Sequence, residues 1–151
     1  MKVKKIMNPD VRTCRSIDML DRAAQLMWDH DIGCLPVVNE SGHVVGMVTD
    51  RDICMAAYTQ GQALRGIAVF SAMAHQVHSC QADDDLAAAE AVMRQHQIRR
   101  MPVIDDQGHP IGILTLNDIA RAARHGGPVT PVEVSSTLSA VCEPRRIAAS
   151  A

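Results

Sequence analysis

The chain has almost no aromatic side chains. Trp28, Tyr58 and Phe70 are the only three in 151 residues. That leaves no stacking platform for single-stranded nucleic acid, and the core must come from Val, Ile, Leu, Met and Ala. An excess of charge is also missing. The formal net charge is −2, which excludes a broad electrostatic grip on a nucleic-acid polymer or an anionic membrane. No apolar run approaches the roughly 20 residues that span a bilayer. The basic start, Met1-Lys2-Val3-Lys4-Lys5, is not followed by the apolar stretch of a secretory signal. These absences predict a cytoplasmic protein. Cysteine occurs at Cys14, Cys34, Cys54, Cys80 and Cys142, an odd number with no C-x-x-C pair. That argues against a structural zinc site and a disulfide-built fold. The five read as buried small hydrophobes, the alternative being a redox role for Cys14, Cys80 or Cys142. There is no nucleophile elbow, H-E-x-x-H, P-loop or dinucleotide glycine fingerprint, so no catalytic residue is assigned and no enzymatic activity is expected.

What the chain does contain is itself, twice. Residues 7–58 align with residues 73–124 at a constant offset of 66 without a gap, and 19 of the 52 pairs are identical. The identities include Met7/Met73, Cys14/Cys80, Asp18/Asp84, Pro36/Pro102, Gly46/Gly112, Thr49/Thr115 and Asp52/Asp118. A duplicated unit that cannot close its own core packs against its copy, and two copies about a pseudo-twofold axis create paired clefts. The domain organisation read from the sequence is therefore repeat one at 7–58, a linker at 59–72, repeat two at 73–124 and a tail at 126–151.

Each repeat reads as β-α-β-β-α, an α/β unit. Residues 11–14 and 77–80 are candidate edge strands. Asp18 and Asp84 are expected to cap a helix whose apolar residues recur at helical spacing (Leu20, Ala23, Ala24, Met27; Leu86, Ala89, Met93) and which ends near His30 and His96. Short apolar runs at 35–38 and 101–104, turns ending in Gly42 and Gly108, and return strands at 44–48 and 111–114 predict a hairpin in each copy. A second helix opens at Thr49 and Thr115. The linker should contain a short helical stretch at 67–73. Gly126-Gly127-Pro128 breaks the last helix, and 129–141 is open between strand and helix, with a frayed Ala-rich end.

Chemistry concentrates at the strand-to-helix junction. Repeat one has Gly46-Met47-Val48-Thr49-Asp50-Arg51-Asp52, and repeat two has Gly112-Ile113-Leu114-Thr115-Leu116-Asn117-Asp118. A helix N-terminus offers N–H groups and partial positive charge to an anion. A Thr hydroxyl there can donate to a phosphate oxygen, and an acceptor-only Asp one turn in can take both hydroxyls of a ribose. Thr-x-x-Asp is also close to a capping box, although Glu or Gln is usual at its third position and Asp is short for that reach.

The paired units, with apolar-Pro-apolar-apolar followed by a hairpin and Gly-x-x-Thr-x-x-Asp, resemble a tandem pair of CBS domains, a Bateman module. The matching residues run from Leu35-Pro36-Val37-Val38 to Asp52 and from Met101-Pro102-Val103-Ile104 to Asp118, and the resemblance covers residues 1–125. The length and the Cys-containing tail are similar to bacterial stand-alone pairs of the hypoxic-response type. The resemblance implies two repeats packed about a pseudo-twofold axis and a sensor of an adenosine-containing ligand. The ribose would be held by Asp52 and Asp118, with Thr49 and Thr115 on ribose or phosphate. Thr13 and Ser79 would line the clefts, and the base would meet Cys34, Leu35 and Pro36 in one copy and Arg100, Met101 and Pro102 in the other. The implied ligands are AMP, ADP or ATP, with NAD and S-adenosylmethionine as further candidates; no cofactor is required.

The copies differ in their arginines. Arg51 stands where repeat two has Asn117, whereas Arg99 and Arg100 stand where repeat one has Gly33 and Cys34. The expectation is that Arg51 holds phosphate in one site and Arg99 or Arg100 in the other, the alternative being solvation or pairing with Asp50, Asp105 or Asp106. The seven histidines include the repeat-related pairs His30/His96 and His43/His109. His75-x-x-His78 lacks carboxylate or thiol neighbours, so no metal site is expected. Three readings follow: a regulatory adenine-nucleotide binder, a ligand-free dimeric scaffold, and a thiol redox sensor. The apolar helix stripes and the resemblance both predict a homodimer joined through helix faces; the sequence indicates no effector protein.

Overall fold

The computed structural model describes residues 1–124, 127 and 129–144. Repeat one contains β1 (Cys14–Arg15), α1 (Leu20–Asp29), β2 (Cys34–Val38), β3 (Val44–Thr49) and α2 (Asp50–Gln60). Repeat two contains β4 (Cys80–Gln81), α3 (Leu86–His96), β5 (Arg100–Ile104), β6 (Pro110–Thr115) and α4 (Leu116–Ala122). In each three-stranded sheet the short first strand runs parallel to the second, which pairs antiparallel with the third. The edge strands begin at Cys14 and Cys80, at the end of the predicted segments rather than their start. Hairpin turns place Gly42 and Gly108 at φ +80° and +85°, backbone that glycine adopts without steric penalty.

Asp18 and Asp84 do not cap the helices. Their carboxylates turn back to accept the N–H of Arg15 and of Gln81, both at 2.8 Å. The Leu20 and Leu86 N–H groups instead donate to the carbonyls of Ile67 (2.9 Å) and Met1 (2.8 Å). Those carbonyls belong to two equivalent lead segments, each with a 3-10 turn: Val3–Lys5 and Val69–Ser71. The expected helical stretch at 67–73 is thus a single 3-10 turn, with a second at Leu64–Gly66.

The lead segments are exchanged. Val3, ahead of repeat one, is fully buried in the core of repeat two with Leu86, Met93, Met101, Leu114 and Ile119. Val69, ahead of repeat two, is fully buried in the core of repeat one with Leu20, Leu35, Val48 and Ile53. Val3 donates to Asp84 O at 3.0 Å and Val69 to Asp18 O at 2.8 Å. Asn8 then bridges to Ile113, and Ala74 to Met47. This crossing explains the two repeat-related glycines. A Cβ on Gly46 would stand 2.5 Å from Met73 Sδ and 3.1 Å from the Ala74 carbonyl; on Gly112 it would stand 3.0 Å from the Asn8 carbonyl.

The hydrogen bonds across the junction of the repeats come from these segments, the hairpin turns and Arg100. Val44 donates to Gly108 O at 3.1 Å, His109 Nε2 lies 3.1 Å from Ser41 O, and the His43 and His109 rings are 5.0 Å apart. The stripe of Leu20, Ala23 and Met27 faces its own repeat's core, as does that of Leu86, Ala89 and Met93. The tail resolves as a helix, α5 (Pro131–Cys142). Thr130 caps it with Glu133 in a capping box, and Pro131 takes the first turn, where no N–H is needed. α5 lies against α3 and α4. It adds Val141 to the second core, joined by Val129 just ahead of the helix. Its buried Thr137 donates to Glu90 at 2.9 Å and accepts from Arg94 at 2.9 Å. Of the predicted helix break, only Gly127 lies among the described residues. The Ala-rich end lies outside them.

Candidate functional site

Two clefts lie between the repeats. The first, about 450 Å³, puts Thr115, Asn117, Asp118 and Arg121 of repeat two opposite Gly33, Cys34 and Pro36 of repeat one. The second, about 580 Å³, puts Thr49, Arg51 and Asp52 of repeat one opposite Ile98, Arg99 and Arg100 of repeat two. Each cleft therefore takes its helix-start motif from one copy and its strand-entry wall from the other, and the lead segments form further walls: Asn8 in the first and Ala74 in the second.

Arg99 and Arg100 line both clefts, whereas Arg51 lines the second and not the first. Arg51, Arg99 and Arg100 all line the second cleft. Arg100 donates to the Gly33 carbonyl, and Arg99 Nη2 lies 3.9 Å from Cys142 Sγ. Leu35 and Met101 are fully buried in the two cores. Thr13, Ser79 and Pro102 line neither cleft.

The Thr-x-x-Asp motifs form complete capping boxes. Asp52 Oδ2 accepts the Thr49 N–H and hydroxyl, both at 2.8 Å, and Asp52 N–H returns to Thr49 Oγ1 at 3.2 Å. Asp118 repeats the pattern with Thr115 at 2.8, 2.5 and 3.2 Å. Asp is long enough after all. The hydroxyl hydrogens expected on a phosphate are already donated within the box, and each carboxylate turns one oxygen to its cap.

Among the lining residues that the sequence reading did not assign to a ligand site are Arg12 and Arg121 in the first cleft, His78 in the second, and Cys142 in both. Arg121 had a signal, standing one helical turn beyond Asp118. Cys142 depended on the fold of the tail. Cys14, Cys34 and Cys80 are buried as expected, whereas Cys54 and Cys142 are exposed; all five thiols are free. Burial, reinforced by the nearby Asp18 and Asp84 charges, pushes Cys14 and Cys80 up to about 12. They stay protonated near neutrality and are poor nucleophiles. Burial also raises Cys34, against the opposing pull of Arg100.

His78 stacks on His96 with ring centroids 3.6 Å apart. Desolvation, and then the His96 charge, hold His78 below the ordinary 6.5. The folded protein therefore binds fewer protons here than the unfolded chain. This contribution to stability is complete above pH 6.5 and is lost as pH falls from there through the lowered value. The melting temperature should accordingly drop more steeply below pH 6.5 in the wild type than in His78→Gln. Parallel pH profiles would show that the stack is not titrating.

Paired α/β repeats with reciprocal clefts define a class of tandem-repeat modules. The chain belongs to the CBS-domain family: a family profile described as "CBS domain" matches residues 3–58 and 68–125. It is 32% identical over 145 residues to hypoxic response protein 1 of Mycobacterium tuberculosis, covering 96% of each chain. Among solved structures it is similar to the CBS domain pair of protein MJ0100 in complex with 5′-methylthioadenosine and S-adenosyl-L-methionine, at TM-score 0.72 and 30% identity, covering 80% of this chain and 98% of that one. It is likewise similar to hypoxic response protein I with two coordinated zinc ions, at TM-score 0.71 and 33% identity, covering 80% and 98%. Among the described residues no group of three or more His, Cys, Asp or Glu side chains is arranged to hold a metal ion, and no helix is long and apolar enough to cross a membrane.

Proposed function

We propose that this CBS pair is a cytoplasmic regulatory module that binds an adenosine-containing ligand between its repeats, AMP, ADP or ATP first among them, and performs no chemistry on it. One observation carries the reading. Each cleft combines a ribose-competent carboxylate with the guanidinium groups of Arg99 and Arg100: across the cleft from Asp52 in the second, and on the same repeat as Asp118 in the first. A diol acceptor together with phosphate donors is the complement of a nucleotide. The adenosine compounds in the MJ0100 complex support the same ligand class. Because every cleft is built from both copies, a bound ligand bridges them and favours whichever relative orientation binds it better. Mass spectrometry of small molecules that copurify with the protein, followed by calorimetry with AMP, ADP, ATP, NAD and S-adenosylmethionine, tests this. A protein that carries none of them and binds none would be a scaffold instead.

The proposed assembly is a homodimer through repeat one. All three aromatic residues are exposed on this half, Trp28 at 87% and Tyr58 at 80%, beside Ile17, Met19 and Met55. The corresponding helices of repeat two are covered by α5. An apolar surface of this kind marks an interaction site, and a second copy would cover it as α5 covers its counterpart. Sedimentation should find a dimer at tens of micromolar in the wild type and a monomer in Trp28→Glu/Tyr58→Glu. A wild-type monomer at that concentration would reject the assembly.

A further inference from the structure

The two clefts differ at one carboxylate oxygen. In the first cleft Asp118 is 5% exposed. Its Oδ2 holds the Thr115 cap and its Oδ1 accepts from Arg121 Nη2 in an ion pair. In the second cleft Asp52 Oδ2 holds the equivalent cap, but no described residue donates to Oδ1. The repeat-related position there is Met55, whose thioether has no hydrogen to give.

We propose that Arg121 is a latch that makes the first cleft selective for phosphorylated nucleosides. The inference rests on reading the clefts as adenosine sites with the ribose on the aspartate. A ribose diol bonds a carboxylate through both oxygens, and in the first cleft Oδ1 is already held by Arg121, so the diol competes with that guanidinium for Oδ1. The Arg121 side chain is 69% exposed and lines the cleft, so the released guanidinium can swing toward the ligand. If the ligand bears a phosphate, one Arg–carboxylate pair is exchanged for one Arg–phosphate pair, and bidentate geometry suits both. If the ligand is a bare nucleoside, the ion pair is lost and nothing replaces it. The second cleft opens no such pair, so this discrimination is confined to the first.

Methyl NMR of the full chain labelled at isoleucine separates the sites, because Ile32 and Ile113 line the first cleft and Ile98 the second. Titrations use AMP and adenosine, in wild type, Arg121→Met and Arg121→Lys. Arg121→Met, which copies the residue of repeat one, should tighten adenosine at the first cleft about three- to tenfold and weaken AMP. The preference for AMP there should collapse by about tenfold or more, with the second cleft unchanged. Arg121→Lys keeps a cation and should keep part of the preference, whereas a role confined to helix stability would move the melting temperature alone. An unchanged AMP-to-adenosine ratio at Ile32 and Ile113 in Arg121→Met would overturn the latch and leave the adenosine reading standing. If neither compound moves any of the three methyl signals in the wild type, the adenosine reading falls and the latch falls with it.

Discussion

A chain with both Asp52→Ala and Asp118→Ala should lose adenosine-ligand binding at both clefts and should also melt at a lower temperature. The sequence motif alone suggested that these substitutions would leave the fold intact. The capping boxes change that expectation, because each carboxylate both closes a helix start and faces a cleft. Removing the charge-assisted bonds to a ribose costs about 1.5–3 kcal/mol at each site, or about 10- to 150-fold in affinity. Removing the cap costs about 0.5–2 kcal/mol for each helix. Asparagine separates the two roles, since its side-chain carbonyl still accepts from the Thr N–H while the charge is gone. Asp52→Asn/Asp118→Asn should therefore melt nearer the wild type than the alanine double variant, yet bind AMP at least about tenfold more weakly than the wild type. Calorimetry on both double variants checks this. Wild-type AMP affinity in the asparagine protein would show that the carboxylates hold caps and not ribose.

A chain that lacks residues 1–7 should be severely destabilised, even though it keeps every strand and helix of both repeats. Truncation withdraws Val3 from the second core, and full burial of a side chain of that size contributes about 1.5–3 kcal/mol. It also removes the bonds from Val3 to Asp84 O, from Lys4 to Ala82 O and from Leu86 to Met1 O, each worth about 1 kcal/mol net. The sum is about 5 kcal/mol, comparable with the whole stability of many domains. For a chain of this size that corresponds to a fall of about 10–20 °C in melting temperature. Val69→Ala should lower stability in the same direction through the first core, and by less, because its backbone bonds remain. Differential scanning calorimetry decides. A truncated chain melting within about 3 °C of the full one would mean that the lead segment is an ornament of the surface.

The strands, hairpins and helices were legible because their signals are local: apolar runs, turn glycines and helical spacing recurring at the same offset in both copies. Asp18 was misread because N-cap preference is a local rule, whereas Leu20 N–H is satisfied by Ile67, far along the chain. The exchange of lead segments left a trace in Val3 and Val69, which also stand 66 apart, but offset alone does not say which core a residue enters. At the clefts, the helix-start motifs and Arg99 and Arg100 were found because they stand at strand ends in sequence. Leu35 and Met101 alternate into the cores instead. The sharing of Arg99 and Arg100 by both clefts, and the contribution of Cys142 from α5, depend on how the two copies face one another.

The exchanged segments also govern how the molecule can come into being. Repeat one, synthesised before repeat two, cannot complete its core until the chain has been made past Val69, and repeat two must then recruit a segment made ahead of repeat one. The two halves therefore close together or not at all, through contacts of high sequence separation, which slow folding. A cut after Gln60 would leave each half holding the plug that fits the other. Two copies of a single unit, each lending its lead segment to its neighbour, would build both cores just as well. In this respect the molecule is a domain-swapped dimer tied into one chain.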